Sequence, residues 1–294
     1  MKISSINEEI IKKLDESDSI DVVDVNPRRE QKFVMKLAIF VAGILFSIII
    51  WYIVAWYYNT FMMWGLAFPD PISVFSRFFE LLSNDFMILY NNIWVHTYES
   101  LKRWFLGFGA AFVIGLSLGI VLGASPKLYP FGMVPVSIVQ MIPGLAWFPV
   151  TILLFGFGNI SAIYIIAITV VAPITINVAN GIRRVPVVNK RVADMCGRTT
   201  FEKYTEMLIP FSLLDILTGL RIGMANGWRV LISAEMVIGV SLGLGYSIKY
   251  TSSHIDYITA FACIVLICVI GLIIDKLILA KLEQYGRKRL GLEE

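Results

Sequence analysis

The sequence predicts an all-α membrane protein with six transmembrane helices. Three observations carry that prediction. Hydrophobic residues make up 57% of the 294 and charged residues only 16%, against roughly 25% charge in ordinary globular domains, and the mean hydropathy is +0.74. Uncharged runs recur at lengths suited to a bilayer, which needs about 20 apolar residues per helix. Lys and Arg gather on alternate connections. The net charge of +3 is too small to argue for a nucleic-acid partner. Cys196, Cys263 and Cys268 show no paired spacing and the only histidines are His96 and His254, so neither a disulfide frame nor a metal site is indicated.

The elements follow in order. Residues 1–36 read as an N-terminal tail rich in both charges. Its Ile6, Ile10, Ile11 and Leu14 suit a short amphipathic helix on the membrane surface; a partly disordered tail fits equally. Residues 37–58 are uncharged and form the first span. The run is too long for a signal-peptide core and lacks a small-residue cleavage site, so a retained anchor is expected. Residues 59–103 form an outer-face segment, where Ile72, Val74, Phe75, Phe78, Phe79, Leu81 and Leu82 predict an amphipathic helix.

Residues 104–282 hold five further spans. The run 104–126 carries the second, with Gly115, Gly119 and Gly123 at four-residue spacing. Such a stripe lets helix backbones approach closely, either within the chain or at a homodimer seam. The uncharged run 128–182 is long enough for two spans, divided at Gly156-Phe157-Gly158-Asn159, a turn signal. Pro135, Pro143, Pro149 and Pro173 are expected to kink or break these two helices. The run 213–240 is apolar but carries Asp215, Arg221, Arg229 and Glu235, and 257–274 completes the six. Residues 283–294 form the C-terminal tail. With both termini inside, inner segments hold 19 Lys and Arg against four in outer segments, so both termini are expected to be cytoplasmic.

That orientation places a charged stretch, 187–210, in the cytoplasm between spans four and five. Val188, Val192, Met195 and Cys196 share one helix face, and Arg191 and Asp194 are i,i+3 neighbours of opposite sign. Gly197 suits the left-handed position that ends a helix. Thr199 and Glu202 fit a capping box that starts another, with Phe201, Tyr204, Met207 and Leu208 as its apolar face before Pro210. Two helices this short are marginal alone in water. They need a surface, either the ends of this protein's own spans or a cytoplasmic partner.

Here the chain resembles the binding-protein-dependent ABC-transporter permeases. The matching residues are Arg191-Val192-Ala193, Gly197 and Ile209-Pro210, spaced as in that family's EAA loop. Leu217-Thr218-Gly219-Leu220-Arg221-Ile222, Gly227-Trp228, Ala234-Glu235-Met236, Pro69-Asp70-Pro71, Ser100-Leu101-Lys102-Arg103 and Pro143-Gly144-Leu145-Ala146-Trp147-Phe148-Pro149 resemble its nitrate/sulfonate/bicarbonate/taurine branch. The family's glutamate position holds Arg191 here, and its later basic position holds Asp194, an inverted pair expected to stiffen the first short helix.

The resemblance implies a type I ABC importer permease fold, inserted many times in the cell membrane. It implies cytoplasmic EAA-type coupling helices, with Arg191, Val192, Ala193, Asp194, Gly197, Thr199, Phe201, Glu202, Tyr204 and Pro210 as the ATPase-coupling loop. Implied partners are two copies of a cytoplasmic ABC ATPase, a second permease copy as a homodimer, an extracytoplasmic solute-binding protein and the lipid bilayer. The chain has no G-x-x-x-x-G-K-[ST] phosphate loop. It is therefore expected to bind no cofactor and to be no enzyme itself, with ATP and Mg used by the partner ATPase.

Charges inside spans usually face the bundle interior or a wet cavity. Arg229, Glu235, Asn226, Gln140 and Trp147 are the pathway candidates. Six residues separate Arg229 from Glu235, so on a helix they lie about 240° apart and each needs a partner elsewhere. A cation in the pathway suits a small anion such as nitrate, a sulfonate, taurine or bicarbonate; a buried salt bridge is the structural alternative. An ion-coupled secondary carrier is the rival function. It would commonly show internal repeats and would leave the two short helices without a role.

Overall fold

The computed structural model describes residues 27–61, 67–83 and 86–279, with 281, 284 and 286. The tail helix expected at residues 6–14, and most of the C-terminal tail, lie outside the described residues. The chain divides into two compact units, Met1–Ala67 and Phe68–Glu294. In the first, α1 (Pro27–Phe61) contains the expected first span, and its stretch Ala38–Phe61 is long and apolar enough to cross a membrane.

The second unit opens with α2 (Pro71–Leu82), the helix expected between the first two spans. Asp70 caps it, accepting from the Ser73 N–H at 3.0 Å and the Ser73 hydroxyl at 2.6 Å. Pro71 stands at the first helical position, where no N–H is needed. Those bonds, the hydroxyl's first, hold the Asp70 carboxyl below the usual range. Next comes a two-stranded hairpin absent from the all-α expectation, β1 (Met87–Ile88) against β2 (Asn91–Asn92). Leu89 and Tyr90 turn it with φ of 48° and 65°; two positive values match the strand twist.

Asn92 then caps α3 (Ile93–Ala124), its side chain accepting from the Val95 N–H at 3.2 Å. The helix begins well before Trp104, where the uncharged run starts, because Glu99, Lys102 and Arg103 are accommodated within it by ion pairs. The third expected span is bent. α4 (Leu128–Met141) ends before Pro143, a single 3₁₀ turn (Gly144–Trp147) follows, and α5 (Phe148–Phe155) leaves at 99° to α4. Pro143 cannot donate a backbone hydrogen bond, so it stops the helix. Pro149 sits in the first turn of α5, while Pro135 and Pro173 lie inside continuous helices.

The chain turns at Gly156 and Gly158, both with positive φ, into α6 (Asn159–Arg184). Then come α7 (Val187–Met195), α8 (Thr200–Phe211, π-helical from Lys203 to Leu208), α9 (Leu213–Val237), α10 (Leu244–Ser253) and α11 (Tyr257–Ile273). α8 and α9 meet at 66°. Among the described residues four helices are long and apolar enough to cross a membrane, or up to six if each bent pair is one span.

The centre of the second unit is α6, whose Ile165, Ile166, Val170, Ile174, Val178 and Ile182 are all fully buried. Glycine stripes flank it. On α3, a Cβ added to Gly115, Gly119 or Gly123 would stand 2.5–3.0 Å from the Ile174 Cβ, the Val178 Cβ or the Ala179 carbonyl. On α9, Gly219, Gly223 and Gly227 face Asn177 and Val170 at 2.8–3.0 Å in the same sense. In lipid, where the hydrophobic effect does not drive helices together, such close backbone approach supplies the packing.

Candidate functional site

The 187–210 stretch folds as two short helices joined by a tight turn. Gly197 takes φ of 68°, and the Arg198 N–H reaches back to the Ala193 carbonyl at 3.2 Å, closing α7 with a left-handed cap. α8 starts with both halves of a capping box: the Thr199 side chain accepts from the Glu202 N–H, and the Glu202 carboxylate accepts from the Thr199 N–H at 2.7 Å. Asp194 pairs with Lys203 across the turn and not with Arg191, which corrects the pairing expected from i,i+3 spacing. The physical reason is the glycine turn, which folds α8 back beside Asp194. Arg198 meets Glu202 at 3.7 Å and Glu206 at 3.1 Å. Val188, Val192, Met195 and Phe201 remain more than half exposed, while Leu208 is buried. Tyr204 lies in the π-helical stretch and Pro210 in the last turn of α8.

The Thr199 N–H, first among several bonds, holds the Glu202 carboxyl below its usual range. A carboxyl whose folded value is depressed stabilises fully above its unfolded value and loses that contribution as pH falls through the folded one. The start of α8 is therefore expected to loosen under acid, below the ordinary glutamate range. Thr199→Ala should remove one half of the box and speed amide exchange at Thr200–Glu202 several-fold at neutral pH. Unchanged exchange at both pH values would remove the box from the account.

The pathway candidates separate. Gln140, Asn226 and Arg229 line one cleft of about 370 Å³, together with Thr169, Ser233 and the Pro143-Gly144 break. Arg229 donates to the Asn226 side-chain oxygen at 2.8 Å and to its own helix at the Ala225 carbonyl, 3.1 Å. Among the described residues no carboxylate lines the cleft. The Gln140 side chain makes no hydrogen bond among the described residues. A larger crevice of about 710 Å³ between α3, α4 and α6 is lined almost wholly by apolar side chains and offers an anion nothing. Trp147 packs instead on Ala162, Ile165, Ala234 and Ile238.

Glu235 lies outside the cleft, in a fully buried polar network that sequence spacing did not reveal. Its carboxylate accepts from Arg103 at 2.7 Å, from the Ser100 hydroxyl at 2.8 Å and from the Gly245 N–H at 2.9 Å. Ser100 in turn accepts from the Leu244 N–H at 2.8 Å, and His96 Nδ1 accepts from the Gly243 N–H at 3.1 Å. The His96 proton therefore sits on Nε2 and is donated to the Ile88 carbonyl at 3.1 Å. Arg103 also donates to the Asn159 side-chain oxygen at 2.8 Å. Gly243, at φ of 151°, leaves room for the carboxylate, which stands 2.6 Å from where a Cβ would be. The network ties α3, α6, α9 and the chain entering α10 together. The signal available in the sequence was the pair of charges Arg103 and Glu235 at the ends of apolar runs.

The model of the family described as the binding-protein-dependent transport system inner membrane component matches residues 111–283, more than half the chain. The chain belongs to that family. The nitrate import permease protein NrtB of Synechocystis sp. is 32% identical over 223 residues, 73% of this chain and 78% of that one. The bicarbonate transport system permease protein CmpB of Synechococcus elongatus is 32% identical over 81% of this chain and 85% of its own. The taurine transport system permease protein TauC of Escherichia coli is 29% identical over 71% and 76%. An inward-facing structure of the MetNI methionine ABC transporter superimposes with a TM-score of 0.54 at 20% identity, covering 69% of this chain and 98% of that one, which places the type I importer permease fold. The permease is thus a multi-pass protein of the cell membrane, of the nitrate/sulfonate/bicarbonate/taurine branch. It is a transport subunit and not an enzyme.

Proposed function

We propose that this permease forms the solute pathway of an ATP-driven importer for a small anion. Its α7–α8 hairpin couples the pathway to a separate ATPase. Both termini and the hairpin lie in the cytoplasm, two permease copies pair, and an extracytoplasmic protein delivers the solute. Two ATPase subunits take the hairpins and use ATP and Mg. ATP binding biases the ATPase dimer toward closure, the hairpins follow, and the attached α6 and α9 exchange inward for outward opening.

One observation carries the anion reading: Arg229 stands in a polar cleft that no carboxylate lines among the described residues, beside the amides of Gln140 and Asn226. An uncompensated cation at membrane depth is costly unless it meets water or an anion. The relatives' names point the same way, since nitrate and bicarbonate are monoanions and taurine carries a sulfonate.

The test is uptake into proteoliposomes holding permease, ATPase and binding protein, with nitrate, bicarbonate and taurine as separate labelled solutes. Arg229→Gln should cut uptake of the preferred solute by about tenfold or more, on the scale of one charge-assisted contact. Arg229→Lys should keep part of it. Wild-type uptake by Arg229→Gln would overturn the anion assignment.

A further inference from the structure

The α7–α8 hairpin uses up its own acids. Asp194 is held by Lys203, and Glu202 and Glu206 by Arg198. Lys190 and Arg191 are left over, with no carboxylate within 4.0 Å of either among the described residues; Lys190 is half-buried on the opposite face of α7, and Arg191 is exposed. Its position on α7 matters. Val188, Val192 and Met195 fall within about 60° of one another around the helix, and Arg191 lies about 40° beyond Met195, the edge of that arc. Arg191 therefore stands at the rim of an apolar stripe. That stripe is open, with Val188 67%, Val192 52% and Met195 87% exposed, and Phe201 beyond the glycine turn is 75% exposed.

We infer that the ATPase subunit meets α7 with an apolar groove whose rim presents a carboxylate to Arg191, so that partner choice rests on this charge. The inference rests on the reading that the hairpin takes the ATPase. An apolar stripe this exposed needs a cover, and a rim charge selects among similar grooves by favouring the opposite sign and repelling its own. An anionic lipid surface fits less well. Lipid recognition calls for clusters of about four to eight cations. The hairpin instead holds four cations against three acids, and the Asp194 and Glu206 side chains are 60% and 54% exposed.

The experiment measures assembly of purified permease with the ABC ATPase that assembles with the wild-type protein. It is run both in detergent without anionic lipid and in nanodiscs containing phosphatidylglycerol. Arg191→Glu should weaken assembly about tenfold or more in both settings, which corresponds to roughly 1.4 kcal/mol. Reversing one rim carboxylate of the ATPase to lysine should restore most of the loss in the Arg191→Glu background and not in wild type. Met195→Asp, which puts a charge in the stripe, should abolish assembly; unchanged thermal unfolding of each variant certifies the fold. If Arg191→Glu is silent while Met195→Asp abolishes assembly, the dock stands and the charge assignment falls. If no carboxylate reversal rescues, the assignment falls too. A loss confined to phosphatidylglycerol nanodiscs gives Arg191 to a lipid headgroup and overturns the inference. If neither variant changes assembly, or wild type assembles with no ATPase, the coupling reading itself fails.

Discussion

Arg103→Ala is expected to destabilise the permease by about 3–5 kcal/mol, the cost of leaving one member of a buried ion pair alone. Glu235 is fully buried and Arg103 is 3% exposed, so neither can turn to solvent when its partner goes. After the substitution the Glu235 carboxylate keeps only the Ser100 hydroxyl and the Gly245 N–H, two neutral donors for a full charge. Asn159 loses its donor as well. The double variant Arg103→Met with Glu235→Leu removes both charges and should recover much of the loss, because replacing a whole buried pair with apolar groups is often near neutral. Thermal unfolding in detergent, followed by tryptophan fluorescence, measures both. Trp104 and Trp228 report directly: they stack edge to face at 6.0 Å on α3 and α9. A double variant as unstable as the single would mean that packing, not unpaired charge, sets the loss. A single variant within about 0.5 kcal/mol of wild type, the scale of a surface substitution, would mean that water reaches the pair.

What the sequence made legible was local. The run 37–58 falls inside α1, and the capping box at Thr199 and Glu202 forms atom for atom because both partners are three residues apart. Gly197 ends α7 for the reason its spacing suggested, a backbone angle costly for other residues. Pro143 reads as a breaker from its missing N–H alone, but the 99° size of the bend depends on what α5 then packs against. Long-range pairing was not legible. Arg103 and Glu235 are 132 residues apart, and nothing in the periodicity of either helix names the other. The Asp194–Lys203 pair was hidden for a related reason. Spacing along one helix favours Arg191, and only the turn brings Lys203 nearer. The α9 stripe of Gly219, Gly223 and Gly227 also stands at four-residue spacing, but its run carries Asp215, Arg221, Arg229 and Glu235, which interrupt the apolar pattern that marks a packing seam. The hairpin at 87–92 gave little warning, since Leu89 and Tyr90 are unusual residues for positive φ.

Gly119→Ala is expected to cost about 1–3 kcal/mol, and Gly119→Leu more. The added Cβ would stand 2.5 Å from the Val178 Cβ and 3.0 Å from the Thr175 carbonyl, where carbon atoms normally settle at about 3.5–4.0 Å. α3 and α6 would have to part by about 1 Å at that point, and the strain would spread to Gly115 and Gly123 on the same seam. Gly109→Ala provides the contrast, because nothing lies within 4 Å of its Cβ position. It should be neutral or gain up to about 1 kcal/mol of helix propensity. Val178→Gly, which removes the opposing Cβ, costs stability alone but should partly rescue Gly119→Ala, giving a favourable coupling of at least about 0.5 kcal/mol in a double-mutant cycle. Rescue places the stripe in a contact within the chain. A Gly119→Ala variant that unfolds at the wild-type temperature but dissociates into single copies would have the opposite meaning: the stripe would then serve a seam between two permeases, and α6 would not be its partner in the membrane.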